Sequence, residues 1–256
     1  ITKARIADTG GKRMGWRLSL SVPFARLRSL PWMKFLIEMR KNMVYLYAID
    51  IRALPDPKEN PAALHHISSS RRKKVMKYLQ ANDRKSCLGA GILLARILPL
   101  YGENPEKIIC GPEGKPRAEN VHFNLSHSGN LVICAVGEEA VGCDIEKTGL
   151  EIQGVAKRFF HRNEAEYLQK FQGQERNDMF FRLWTWKESY IKMTGEGLRL
   201  PLQDFEILPK GEKIQVRRGD EILSCHIMEY NIPEYKVSVC AEEEEFARCV
   251  KYVNPL

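Results

Sequence analysis

The sequence predicts an α+β fold, and three observations carry that prediction. Residues 121–147 read as three short strands joined by turns, and residues 180–192 read as a helix without Pro or Gly. The order strand, helices, strands then recurs once after a short linker near residue 148, with no residue-level repeat of fixed period.

Taken in order, residues 1–42 do not read like the start of a domain. They hold all of the chain's net charge of +8, and Pro23 and Pro31 interrupt any long helix. Basic and acidic residues balance in the remainder, so the globular part has no net field to hold a polyanion; no nucleic acid is expected. The leader is expected to be dispensable or poorly ordered; organelle targeting, upstream sequence and a genuine basic arm are the alternatives. A strand follows over 44–51, then a Pro-rich loop and a short helix over 62–67. The run Ser68-Ser69-Ser70 offers an N-cap to a basic helix over 71–80, and Asn82 caps a longer one over 83–98, ended by Pro99. Residues 107–110 form a short strand and 111–116 a turn.

In the central stretch, Val121, Phe123 and Leu125 alternate with His122, Asn124 and Ser126. The apolar run 131–136 and the strand 141–146 follow. Asp144 and Glu146 are two apart on a strand and therefore point the same way. Two adjacent carboxylates repel and call for a cation or a shifted pKa, and hard oxygen ligands finished by water and phosphate suit magnesium. Helices are expected over 155–159, 164–169 and 178–193, the last stopped by Gly195-Glu196-Gly197. Glu188 and Lys192 share one helical face, which is also the spacing of an ordinary surface pair. Trp184 and Trp186 are two apart, so one is expected inward, Trp184, beside Leu183 and Phe180. Strands over 205–208, 213–217, 222–228, 236–240 and 246–253 complete the chain, with the acidic run 242–245 as a solvated turn.

With 44% hydrophobic residues, 256 residues support one large domain or two smaller ones. Seven cysteines form no C-x-x-C pair, which fits a reducing cytosol and a cytoplasmic protein. No apolar run reaches the roughly 18 residues of a membrane span. The sequon at Asn124 lies in a core-like strand and is read as unglycosylated.

The pair V-G-C-D-I-E-K (141–147) and W-T-W-K-E-S-Y-I-K (184–192), with F-N-L-S-H-S (123–128) and G-K-P (114–116) before them, resembles the signatures of 4'-phosphopantetheinyl transferases, Sfp-type branch. The resemblance spans roughly 43–242, and four motifs in order are specific where one alone is weak. It implies two similar α/β halves related by a pseudo-twofold, 43–147 and 148–256, with the active site in the cleft between them and a monomer in solution. It implies transfer of the 4'-phosphopantetheine arm of coenzyme A to a serine of an apo acyl- or peptidyl-carrier protein, with release of 3',5'-ADP.

By this resemblance Asp144, Glu146 and Glu188 hold magnesium, or manganese. Glu188 is the candidate base, directly or through a water on the metal, with Lys192 and His127 beside the phosphates. Arg71, Lys74, Lys115, Ser126, His127 and Lys192 are the expected coenzyme contacts, with Lys85 a further candidate. Ser86 and Cys87 depart from the arginine and threonine the family more often shows. Apolar residues over 150–171 are the expected carrier-docking surface. Two other classes stay open on the residues alone: a non-catalytic coenzyme A-binding protein on the same scaffold, and a nucleic-acid binder using the leader and the basic helix.

Overall fold

The computed structural model describes residues 42–111, 114–149, 154–211 and 213–255. The leader reading therefore lies outside the described residues. In chain order the elements are strand β1 (Tyr45–Asp50), helices α1 (Ser69–Val75) and α2 (Ala81–Ile97), and strands β2 (Ile109–Cys110), β3 (Pro116–Arg117), β4 (His122–Ser128), β5 (Leu131–Gly137) and β6 (Val141–Lys147). Helices α3 (Val155–Phe159), α4 (Arg162–Leu168) and α5 (Gly173–Thr194) follow. Strands β7 (Glu206–Lys210), β8 (Lys213–Arg218), β9 (Glu221–Ile222), β10 (His226–Ile232), β11 (Tyr235–Ala241) and β12 (Lys251–Tyr252) end the described chain.

The first sheet runs β12-β1-β5-β4, antiparallel except for the β1–β12 edge. Its two central strands are buried on both faces, as their near-continuous apolar runs require. Tyr47, Ile49, Val132 and Cys134 face Leu88, Ile92 and Leu93 of α2. The alternate residues Leu46, Ala48, Ile133 and Ala135 face a second sheet, β10-β11-β6, at Cys143, Ile145, Val237 and Val239. Helix α5 covers the other side of that second sheet, with Trp186, Leu183 and Tyr190 in a third apolar cluster. The site follows from this layering. Odd positions of β6 enter the core between the sheets, so even positions Gly142, Asp144 and Glu146 turn toward α5.

A helix can approach a strand this closely only over a residue without a side chain. At Gly142 an added methyl would overlap the Ser189 carbonyl oxygen and the Met193 amide nitrogen of α5. Helix α5 ends at Gly195, whose φ of +73° gives the left-handed cap that the sequence signals.

Several boundaries differ from expectation. The basic helix stops at Val75, and Asn82 lies inside α2, whose N-cap is Gln80. Helix α5 begins at Gly173, with Glu175 favourably placed in its first turn. Trp186, not Trp184, is the fully buried tryptophan; Trp184 is half-buried on Phe160 and Phe180. The reason is that α5 is packed on nearly all sides, so the inward stripe is wider than an amphipathic helix would have. The expected strand 222–228 splits into β9 and β10, and the last strand shrinks to β12, with an isolated bridge from Val44 to Phe246. Within the acidic run, Glu243 is no solvated side chain: it accepts the amides of Glu138 and Glu139 at the β5–β6 turn. Among the described residues no helix is long and apolar enough to cross a membrane, and all seven cysteines are free, five of them buried.

Candidate active site

Strand β4 places the first functional side chains. Its alternate residues Asn124, Ser126 and Ser128 form a polar zip onto β6. Asn124 Oδ1 accepts the Cys143 amide at 3.0 Å, and Ser126 Oγ donates to Asp144 Oδ1 at 2.9 Å. Ser128 Oγ donates to Glu146 Oε2 at 3.0 Å and accepts the Lys147 amide. These side chains replace the backbone ladder that β4 and β6 lack, and they fix both carboxylates. Buried polar groups need such partners, which explains why Asn124 and Ser126 are buried where alternation alone predicts an outward face. The sequence reading missed Asn124 and Ser128; the available signal was three polar residues at period two in an apolar frame.

Helix α5 brings the opposing wall. Lys192 Nζ lies 2.5 Å from Asp144 Oδ1 and 3.0 Å from Ser126 Oγ. Burial lowers the Lys192 pKa, but the Asp144 carboxylate outweighs it and the net shift is upward. Asp144, Glu146, Glu188, Ser126, Trp184 and Lys192 line a cavity of about 400 Å³. Burial, then the charge of Asp144, raises the carboxyls of Glu188 and Glu146 above the ordinary value. Asp144 Oδ2 is buried with no hydrogen-bond partner.

A second cavity, also about 400 Å³, is lined by Arg71, Lys74, Lys115, His127 and Lys192, beside Cys87 and Ser86. His127 and Lys192 line both cavities. Burial, then the charge of Lys192, lowers the His127 pKa. Ser126 and His127 point to opposite faces of β4, which divides the expected pair: Ser126 to the acids, His127 toward the basic cavity. Arg71 Nη1 lies 3.8 Å from Cys87 Sγ. Lys85 turns to the Arg52 carbonyl instead. An apolar groove of about 610 Å³, with Phe159, Trp184, Ile191, Leu200 and Leu202, opens from Glu188 and Lys192.

Lys115 differs most from expectation. Its ammonium donates to the carbonyls of Val141, Lys192 and Met193 at 3.1, 2.5 and 3.2 Å. All three of its protons are thereby engaged, and it fastens the end of α5 to the start of β6. Burial pulls it down to about 8.

The acid pocket suits a hard cation in its donors: carboxylate oxygens, one of them an orphan. Yet no three His, Cys, Asp or Glu side chains among the described residues form a group able to hold a metal ion by themselves. Asp144 gives one oxygen to Lys192 and Ser126, so the expected three-acid set is not drawn together as a closed cage. That leaves room for ligands from water or substrate, the usual habit of magnesium.

Known proteins resemble this chain. The family model described as ACPS, 4'-phosphopantetheinyl transferase superfamily, matches residues 140–240. The 4'-phosphopantetheinyl transferase Sfp of Bacillus subtilis (strain 168) is 31% identical over 217 residues, covering 82% of this chain and 97% of that protein. A second 4'-phosphopantetheinyl transferase of Bacillus subtilis is 34% identical over 188 residues, covering 70% of this chain and 84% of that one. The L-aminoadipate-semialdehyde dehydrogenase-phosphopantetheinyl transferase of Rattus norvegicus is 28% identical over 178 residues, 61% of this chain and 58% of its own.

Proposed function

The chain belongs to the 4'-phosphopantetheinyl transferases of the Sfp type, and on that premise we propose that it moves the phosphopantetheine arm of coenzyme A onto a serine of an apo acyl- or peptidyl-carrier protein, releasing 3',5'-ADP. One observation carries the reading. A basic cavity and an acidic cavity share His127 and Lys192, so a pyrophosphate crossing between them meets cations on one side and carboxylates on the other.

Arg71 and Lys74 grip the 3'-phosphate and pyrophosphate of the coenzyme, and His127 donates to the same phosphates. Lys192 offsets the charge that builds on the phosphoryl oxygens during attack. Asp144, Glu146 and Glu188 would hold magnesium or manganese, which supplies Lewis-acid neutralisation of those same oxygens. Glu188 takes the proton of the attacking serine hydroxyl, directly or through a water. Lys115 acts through the chain: by fastening α5 to β6 it keeps Glu188 opposite Asp144. Residues 43–147 and 148–256 are taken as two related halves with the site between them, in a cytoplasmic monomer. Strand β6, which carries Asp144 and Glu146, pairs with β11 of the second half, and β12 pairs with β1 of the first, so strands cross that boundary.

The test is a mass spectrum of an apo carrier protein incubated with the protein, coenzyme A and magnesium. The expected product is the carrier plus one phosphopantetheine arm. A chelator, or Glu188→Gln, is expected to lower the transfer rate by about 10²–10⁴. Coenzyme A bound without transfer to any of several carriers would sink the proposal in favour of a binding protein.

A further inference from the structure

In the pairing of β11 with β6, Lys236 stands directly opposite Glu146. Opposed residues of an antiparallel pair share a face, with β carbons about 4.5–5.5 Å apart. A lysine stem from that position can bring its ammonium to the carboxylate across from it. Lys236 does not point there. Its ammonium pairs with Asp178, in the first half of α5, while Glu146 takes the hydroxyl of Ser128. One turn along α5 the arrangement repeats, with Arg182 held by Glu229 of β10 at 2.6 Å.

Charge gives this diversion a purpose. With its three acids ionised and Lys192 charged, the pocket carries two net negative charges, which match a divalent cation. A second ammonium at Glu146 would halve that charge and put a like charge beside the ion. We propose that Asp178 is a positioning residue that holds Lys236 out of the acid pocket and so keeps the pocket open to a divalent cation. This rests on the reading of Asp144, Glu146 and Glu188 as cation ligands. The Lys236 side chain is 25% exposed and that of Asp178 is 42% exposed. The pair is therefore a bias on where a mobile lysine resides, worth an exposed salt bridge and not a buried one.

Manganese alone, titrated into the full chain and followed by electron paramagnetic resonance without coenzyme A, reads the effect directly. Asp178→Ala is expected to weaken manganese binding by about threefold to fivefold, the scale of an exposed ion pair. Asp178→Ala with Lys236→Met is expected to return to the wild-type affinity, because the released lysine is gone. Asp178→Asn, which keeps the volume, replaces the alanine variant if that variant fails to fold. Unchanged affinity in the single variant overturns the proposal. So does a double variant as weak as the single one, since the loss would then belong to Asp178 itself. Failure of the wild-type protein to bind manganese defeats the underlying cation reading instead, and that result is distinguishable from both.

Discussion

Helix α5 carries two lysines five residues apart, each set against a buried carboxylate, and the two pairs differ in one respect. Lys187 donates to Glu164 at 2.7 Å and to the Phe205 carbonyl at 2.8 Å, and it lies over the Phe205 ring. Glu164 also accepts the amides of Ile207 and His161, the second as part of the capping box that starts α4. Both side chains are sealed from water and each charged group has its partners. Lys192 and Asp144 make a shorter contact still, but Asp144 keeps one buried oxygen without a partner and Lys192 opens on cavities. A satisfied pair ties elements together. An unsatisfied one leaves chemistry to be done, and a fold keeps such a group only where something else supports it.

The largest stability effect that tests this contrast is expected at the sealed pair. Burial lowers Lys187 to about 8 and raises Glu164 in spite of their contact, so desolvation opposes the pair throughout. Breaking it strands a charge: Lys187→Met should lower the unfolding free energy by about 3–5 kcal/mol. Combining it with Glu164→Gln, whose single amide oxygen still accepts one of the two amides, should recover part of the loss. Transfer by the folded fraction of Lys187→Met should stay near wild type at low temperature. Urea denaturation of Lys187→Met, Glu164→Gln and the double variant measures the cycle, and an unshifted midpoint for Lys187→Met would mean the pair is no anchor.

A smaller loss, divided between stability and rate, is expected at Gly142. Alanine there drives a methyl into the α5 backbone, and overpacking of this kind costs about 1–3 kcal/mol. Relief requires α5 to move off β6, which parts Glu188 from Asp144, so the transfer rate should also fall by at least about tenfold. Equal rates with a lowered melting temperature would show that the catalytic acids tolerate the shift.

The contrast also marks what the sequence could reveal. Asp144 and Glu146 were legible as neighbours because a strand alternates, and Glu188 with Lys192 because a helix repeats. The cap at Gly195 was legible because a left-handed position favours glycine. What the sequence hid depends on packing. A buried lysine in W-T-W-K-E-S reads as a solvated one until Glu164 is found 23 positions away. Trp184 and Trp186 cannot be ranked by a single-face argument when the helix is enclosed. Lys115 read as a coenzyme contact, and only the tertiary fold reveals the carbonyls at the end of α5. Gly142 had no visible reason to be glycine. The overall match to known transferases then adds the reaction class that no single residue conveys.

The smallest expected effect, and the one of opposite sign, is at Glu188. Its carboxyl titrates higher in the folded protein than the ordinary value of 4.5, because burial and then Asp144 disfavour the charge. Below the unfolded value both states are protonated, and the full favourable contribution of this group is present. As pH rises toward the folded value, the unfolded chain loses its proton first. The native state is therefore progressively penalised, and the contribution is lost once pH passes the raised pKa. Glu188→Gln carries no such penalty. It should match the wild-type stability near pH 4 and exceed it at pH 7 by about 0.5–2 kcal/mol, the usual gain when a strained functional group is relieved. Thermal melts of both proteins across that range decide the matter. A variant that is less stable at neutral pH would place Glu188 with Glu164, among the acids that hold the fold together, and would remove the distinction drawn between the two ends of α5.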